Sequence, residues 1–407
     1  MTHIALSPVR SNRVGLLLCI LTGACDQPKG SESSATTDSA GVTIVTNDLS
    51  QLTAVCAVGT EPQVTIGSVD REQYELHRVS GATRLTDGRI VLVNRGTQQL
   101  RFYDRAGRYQ MSAGRGPGEF SNAFYIWVMR GDTIWAGDYP PWQFLVFRPD
   151  GQWVKTVRPR PEYVDMPNVI LVHDDGRSVL GTGTRSLNSH FERRPITVAV
   201  HGAKGELIDT IGTYPDRRLG KIDLPGSPII DPLFESFAQI VAAGSRVVVA
   251  HTSEPRVSIL TIASQLRTDR IIRWTTESRT VSSGHIQAER KRIAALYEDL
   301  DPATRRRWVE PMVTEKRPVA DRFPAFASLM AGRDGRIWIR NYPRPQDTQT
   351  QRWLAFSRVG CRATLPELDQ ILEFGADYFL ALDRDDLGVE RVVQYSLASP
   401  RAGGGNP

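Results

Sequence analysis

Short apolar runs alternate with glycine-bearing turns along this chain, and the runs come in pairs. Ala82-Thr-Arg-Leu-Thr-Asp-Gly-Arg-Ile-Val-Leu-Val-Asn94 reads as strand, Asp-Gly turn, strand. Units of the same shape occupy 128–138, 171–180, 240–251 and 329–341, with a weaker sixth at 371–383. Apolar, β-branched runs of this length between such turns predict hairpins. A second hairpin follows each of the first five, at 100–109, 144–153, 196–207, 257–266 and 353–361. The equivalent residues Ile90 and Ile134 are 44 positions apart. Four strands repeating at that period predict propeller blades, because a β-sandwich has no reason to keep a fixed period. The expected fold class is all-β, a six-bladed β-propeller.

The sixth unit has only three strands, ending at Val392-Val-Gln-Tyr-Ser-Leu397. Gln63-Val-Thr-Ile-Gly67 matches Asp209-Thr-Ile-Gly212, the outer strand of the third unit, and is expected to supply the missing one. Such N-terminal strand exchange closes the ring and removes exposed sheet edges. Val42-Thr-Ile-Val45 reads as a further strand with no assignable partner. Residues 282–322 break the pattern. Ile286, Ile293, Leu296, Tyr297 and Leu300 share a helical face behind a Ser282 or Ser283 cap, and a second helix starts at Asp301-Pro302 and runs to about Glu310. A helical insertion between blades 4 and 5 is therefore expected, with Arg305, Arg306 and Arg307 on its solvated face.

The first 24 residues carry Arg10 and Arg13, no acidic residue, and the apolar run Val14–Leu21, too short to cross a bilayer. That order reads as an export signal. It ends in Leu21-Thr-Gly-Ala-Cys25, which resembles the bacterial lipoprotein lipobox, usually Leu-Ala-Gly-Cys. The resemblance implies cleavage before Cys25 and lipidation of that residue, holding the protein on a membrane of the bacterial cell envelope, on its extracytoplasmic side. Residues 25–40, rich in Ser, Thr and Gly, read as a flexible tether, 41–399 as the propeller and 400–407 as a disordered tail.

Gly114-Arg-Gly-Pro-Gly-Glu-Phe120 lies between the outer strand of one blade and the inner strand of the next. It resembles the NHL-type repeat of six-bladed β-propeller lipoproteins, and Asp38–Val45 resembles the mature start of those proteins. The likeness spans nearly everything after residue 38, clear in blades 1, 2 and 5 and poor in blades 3 and 4. It implies a fold and an envelope address, and no activity.

Composition narrows the function classes. The 407 residues carry 50 Lys+Arg against 45 Asp+Glu, and no block of five like charges occurs. A nucleic-acid footprint is missing. Of four cysteines, Cys19 leaves with the signal and Cys25 takes lipid, so Cys56 and Cys361 remain in an oxidising compartment. Cys361 opens the outer strand of blade 5, and Cys56 lies seven residues before the strand that closes blade 6. Both belong near the lower rim, where a disulfide forms if the Cα atoms come within about 7 Å; two separate thiols are the alternative.

Chemistry in a propeller gathers on the upper face, where the second-to-third strand turns and the exits to the next blade lie. Four residues beyond Ile90, Ile134, Val247, Ile337 and Phe379 stand Asn94, Asp138, His251, Asn341 and Asp383, with Thr182 or Gly183 in blade 3. Even spacing keeps each on one side of its strand. Such a ring can hold a ligand or ion, or its Asx side chains can bond nearby amides and shape the turns. No paired-histidine site, nucleophile elbow or phosphate loop is present. Arg95, Tyr139, Trp142, Tyr342 and Arg344 fall in upper-face loops and could form a stacking surface for sugars or peptides. Trp135 and Trp338 read as inter-blade core, and Gly114–Phe120 as a blade junction. Two readings follow: a non-catalytic platform for a protein, peptide or glycan, without a cofactor; or a lactonase-like hydrolase or lyase using calcium or zinc at the ring.

Overall fold

The computed structural model describes residues 34–400 apart from 115, 117–118, 140–142, 159–167, 174, 184–190, 225–226, 244–245, 263–265, 346, 348–349 and 358–359. Six sheets follow one another along the chain, each built on four antiparallel strands with the first strand innermost. Blade 1 runs Val79–Arg84, Ile90–Asn94, Gln99–Tyr103 and Tyr109–Ala113, and blade 2 Ala123–Val128, Ile134–Asp138, Gln143–Phe147 and Trp153–Val157. Blades 3 to 5 begin at Asn168, Ala238 and Ser328. The protein is a six-bladed β-propeller.

Six hydrophobic clusters lie one at each junction between neighbouring blades, as expected for sheets that bury both faces. Trp135 and Trp338 are buried in two of them. Trp338 stacks on Phe374 with ring centroids 4.2 Å apart.

Blade 6 closes as its missing strand requires. Gln370–Phe374, Tyr378–Arg384 and Glu390–Ala398 are completed by Val64–Ile66, which pairs antiparallel with Val392–Gln394. The seam is tied again by Glu373, whose carboxylate accepts from Thr83 Oγ1 (2.6 Å) and the Arg84 amide (3.0 Å) of blade 1. Cys56 and Cys361 are joined by a disulfide with Cα atoms 5.5 Å apart, beside the parallel bridge Val55–Arg362.

One segment departs from the sequence reading, and an expected strand finds its partner. Residues 34–39, read as tether, form a strand, Ser34–Ser39, which turns back at Ala40-Gly41 onto Val42–Asn47. Val42–Asn47 then pairs in parallel with the outer strand of blade 4, Leu266–Trp274, Val45 opposite Ile272. That sheet thus has six strands, its long outer edge covered by the hairpin.

The insertion forms between blades 4 and 5. Its first helix spans Ser283–Leu296, capped by Ser282, whose hydroxyl accepts from the His285 amide while His285 Nδ1 accepts from the Ser282 amide. Asp301 Oδ1 caps the second through the amides of Ala303 and Thr304, and a π turn at Arg305–Val309 carries it to Val313. Ile293 is buried as expected, but Leu296, Tyr297 and Leu300 are exposed. The first helix stops at Leu296, so the shared face ends there. The insertion rests on the blade 3–4 connection: Arg317 donates to Asp231, and Phe323 packs edge-on to Phe234.

Candidate functional site

The five ring positions do different jobs. Asn94 is fully buried; its Oδ1 accepts from the His77 amide (3.0 Å) and its Nδ2 donates to the Glu75 carbonyl (3.1 Å). Asp138, also fully buried, accepts from the amides of Ser121 (3.0 Å) and Asn122 (2.5 Å) and from Gln143 Nε2 (2.9 Å). Both side chains hold the entry of an inner strand to the exit of the second strand. Among the described residues Asn341 makes only a backbone bond, its amide donating to the Arg352 carbonyl. Asp383 is half-buried, and burial together with nearby Asp369 raises its carboxyl above the ordinary carboxylate range. Thr182 Oγ1 donates to the Thr197 carbonyl of its own blade. Among the described residues no three His, Cys, Asp or Glu side chains gather as a metal site.

His251 belongs to a different constellation. Its Nε2 lies 3.1 Å from Arg193 Nη1, and its Nδ1 2.6 Å from Ser253 Oγ. A guanidinium only donates, so Nε2 accepts and a neutral ring carries its proton on Nδ1, where it is directed to the Ser253 hydroxyl at 2.6 Å and the Ser253 amide 3.3 Å away finds no lone pair. Burial first, then the Arg193 charge, hold the imidazole below its ordinary pKa and keep it neutral. Arg193 also approaches Glu235 (3.5 Å), whose almost fully buried carboxylate takes a bidentate pair from Arg218, Nε to Oε1 at 3.0 Å and Nη2 to Oε2 at 2.7 Å. Ser253 therefore has no base: Nδ1, the nitrogen beside its hydroxyl, already carries the ring proton, and the ring's lone pair on Nε2 faces a cation. This chain of Ser, His, Arg and Glu is an electrostatic strut joining blades 3 and 4, unlike a nucleophile–base–acid relay.

The loop residues also divide. Tyr342 is packed under the insertion, its ring 5.8 Å from Phe323, and burial drives its hydroxyl pKa far up. Arg344 donates to the Ser278 carbonyl (2.8 Å) and faces Glu277. Those two anchor the insertion and form no open stacking surface. Trp142 and Cys25 lie outside the described residues. Tyr139 is half-buried, its amide donating to the Asn122 carbonyl. In the Gly114 junction, φ is +101° and a Cβ would meet the Phe120 ring at 2.4 Å, so only glycine fits there; Glu119 is exposed.

Arg95 remains on the upper face, with partners that no repeat pattern signals. Register slips between Gly137 and Asp138, so Ala123 faces Asp138, Tyr125 faces Gly137, and Phe124 is left over as a bulge. A bulge re-aims its side chain. The Phe124 ring lies 3.7 Å under the Arg95 guanidinium, which also donates to Asn122 Oδ1 at 3.1 Å. Tyr125 and Trp127 follow on the same innermost strand, half-buried, with ring centroids 5.4 Å apart. Blade 2 thus presents an arginine-capped aromatic row on the strand nearest the axis. The available sequence signal was six successive apolar positions, Ala123–Val128, where one-sided strands alternate. Nothing marked Glu235 or Arg193.

No family model matches the chain, and no curated protein matches it. Solved structures resemble it in shape. A Bacteroides fragilis protein provisionally described as exported aligns at 10% identity over 88% of this chain and 100% of its own, TM-score 0.49. A member of the duf4221 family from Bacteroides vulgatus aligns at 10% over 85% and 99%, TM-score 0.45. A streptogramin B lyase aligns at 11% over 78% and 93%, TM-score 0.36. Likeness at this level carries no inference of activity. No helix among the described residues is long and apolar enough to cross a membrane.

Proposed function

We propose that this protein is a non-catalytic binding platform of the bacterial cell envelope, tethered through lipidated Cys25, that recognises a glycan or peptide at the upper face of blades 1 and 2. One observation carries the reading: the lone pairs of Asn94 and Asp138 are committed to amides and a glutamine, whereas the Arg95–Phe124 stack and the Tyr125 and Trp127 rings, though they pack partly on the blade 2–3 core, are only partly buried. Flat aromatic faces with an adjacent guanidinium suit sugar rings and the side chains of extended peptides.

Glycan and peptide arrays probed with the purified chain test it. A binder is expected whose affinity falls about 30-fold in Tyr125→Ala, corresponding to roughly 2 kcal/mol for a central aromatic anchor. The reading fails if array binders are indifferent to Tyr125→Ala and Phe124→Ala, or if the chain hydrolyses lactones or esters only when calcium or zinc is supplied. Anchoring is read separately: Cys25→Ser should release the protein from the membrane fraction.

A further inference from the structure

Blade 4 departs from the repeat twice, and both departures fall at one place on the lower rim. The first is an arginine without its usual partner. In blades 1, 3 and 5 the first turn reads Asp-Gly-Arg, and the arginine folds back onto the turn's own aspartate: Arg89 on Asp87 (2.7 Å), Arg177 on Asp175 (2.7 Å) and Arg336 on Asp334. In blade 4 the same turn reads Gly244-Ser245-Arg246, with no aspartate. Arg246 is exposed and makes no hydrogen bond or ion pair among the described residues, although Asp269 is near enough to feel its charge. The second departure is the N-terminal hairpin, which extends this sheet alone.

Register places the consequences on one face. Ile259 pairs with Arg270 and with Val248, two residues beyond Arg246, while Val45 pairs with Ile272. Arg246, Ile259, Arg270 and Ile272 therefore point together toward blade 5, with Val45 as the wall the hairpin adds. They line a cavity of about 310 Å³, closed on the other side by Ile337 and Phe356 of blade 5. Its floor is apolar and buried: Ile259, Ile272, Ile337 and Phe356 are at most 5% exposed. Arg270, like Arg246, is exposed and has no hydrogen-bond or ion-pair partner among the described residues. Asp269 is engaged by Thr261 and Arg267.

We propose that this inter-blade cavity binds an amphiphilic organic anion, its apolar body on the four buried side chains and its carboxylate, or a similar anionic head, between Arg246 and Arg270. The volume lies at the small end of ligand sites, about 300–1,000 Å³. Guanidinium pairs with free donors match a carboxylate in charge and geometry. The site is on the opposite rim from the aromatic row and does not depend on it.

Calorimetric titration of the purified full chain in detergent-free buffer, with decanoate and decanol as probes, decides it. Decanoate is expected to bind one per chain, and decanol, which has no charge, about tenfold or more weakly. Arg246→Gln/Arg270→Gln should weaken decanoate by a further tenfold or more without changing decanol, and Arg246→Lys/Arg270→Lys should recover most of it. Both arginines are exposed, so unchanged melting curves of these variants serve as the folding control; Val45→Trp, which fills the cavity, should abolish both titrations. The proposal is overturned if decanoate shows no saturable binding, if decanol binds as tightly, or if decanoate binds the double glutamine variant as it binds the parent.

Discussion

Asp138→Ala separates the two uses of a ring carboxylate. The side chain is fully buried and receives three donors, two of which, the Asn122 amide and Gln143 Nε2, lie in partly or wholly buried surroundings. Ser121 is exposed, so its amide regains water. Each buried donor left unpaired costs about 1–3 kcal/mol, so the loss of two should destabilise the fold by roughly 2–6 kcal/mol. With an unfolding entropy of about 2.1 cal/mol/K per residue over a propeller of about 360 residues, that is a fall in Tm of about 3–8 °C. Asn341→Ala is the matched control: its side chain has no hydrogen bond among the described residues, so a shift within about 0.5 kcal/mol is expected. Both variants are melted with chelator and with added calcium or zinc. If Asp138 and Asn341 were ligands of one ion, each alanine would instead erase the same ion-dependent increment and do little in chelator. That pattern would refute the capping argument and move the protein to the metal-dependent class.

Three further outcomes follow from the same geometry. The disulfide spans 305 residues, so Cys361→Ser should cost about 6 kcal/mol on the chain-entropy scale, and thiol mapping of the exported protein without reductant should find neither Cys56 nor Cys361 free. Burial holds His201 and His251 below the ordinary imidazole pKa, so the unfolded chain takes up protons near pH 6.5 while the folded one does not; stability should fall as pH drops below about 6.5 and level off under the folded-state values. His251→Asn should shallow that fall in urea midpoints measured from pH 8 to 5, and an unchanged slope would show that His251 takes no part. Removing residues 34–47 bares the blade 4 edge at Leu266–Trp274, and light scattering should then show concentration-dependent association that the full chain lacks.

Why the architecture could be read from the chain, and the site could not, comes down to how far each signal travels. Asp87-Gly88-Arg89 and its copies are local: the turn closes on itself and the arginine is held by its own aspartate, so the repeat survives in sequence even where strands diverge. Closure by Val64–Ile66 was legible for the same reason, since it fills a vacancy that counting strands exposes. The hairpin at 34–47 fills none. It adds to a blade already complete, and a parallel partner some 225 residues away leaves no trace in hydrophobic pattern. The bulge at Phe124 is subtler, because one extra residue turns an aromatic from the core toward Arg95 while leaving composition untouched. At the ring, position along the strand alone does not say whether an Asx side chain faces a ligand or its own backbone. Asn94 and Asp138 face backbone because the inner strands of blades 1 and 2 arrive with unpaired amides at His77, Ser121 and Asn122, which a buried entry must satisfy. Function is then to be sought where the repeat fails to satisfy itself: at the partly buried rings of blade 2, and at Arg246, a turn arginine whose own turn carries no aspartate to hold it.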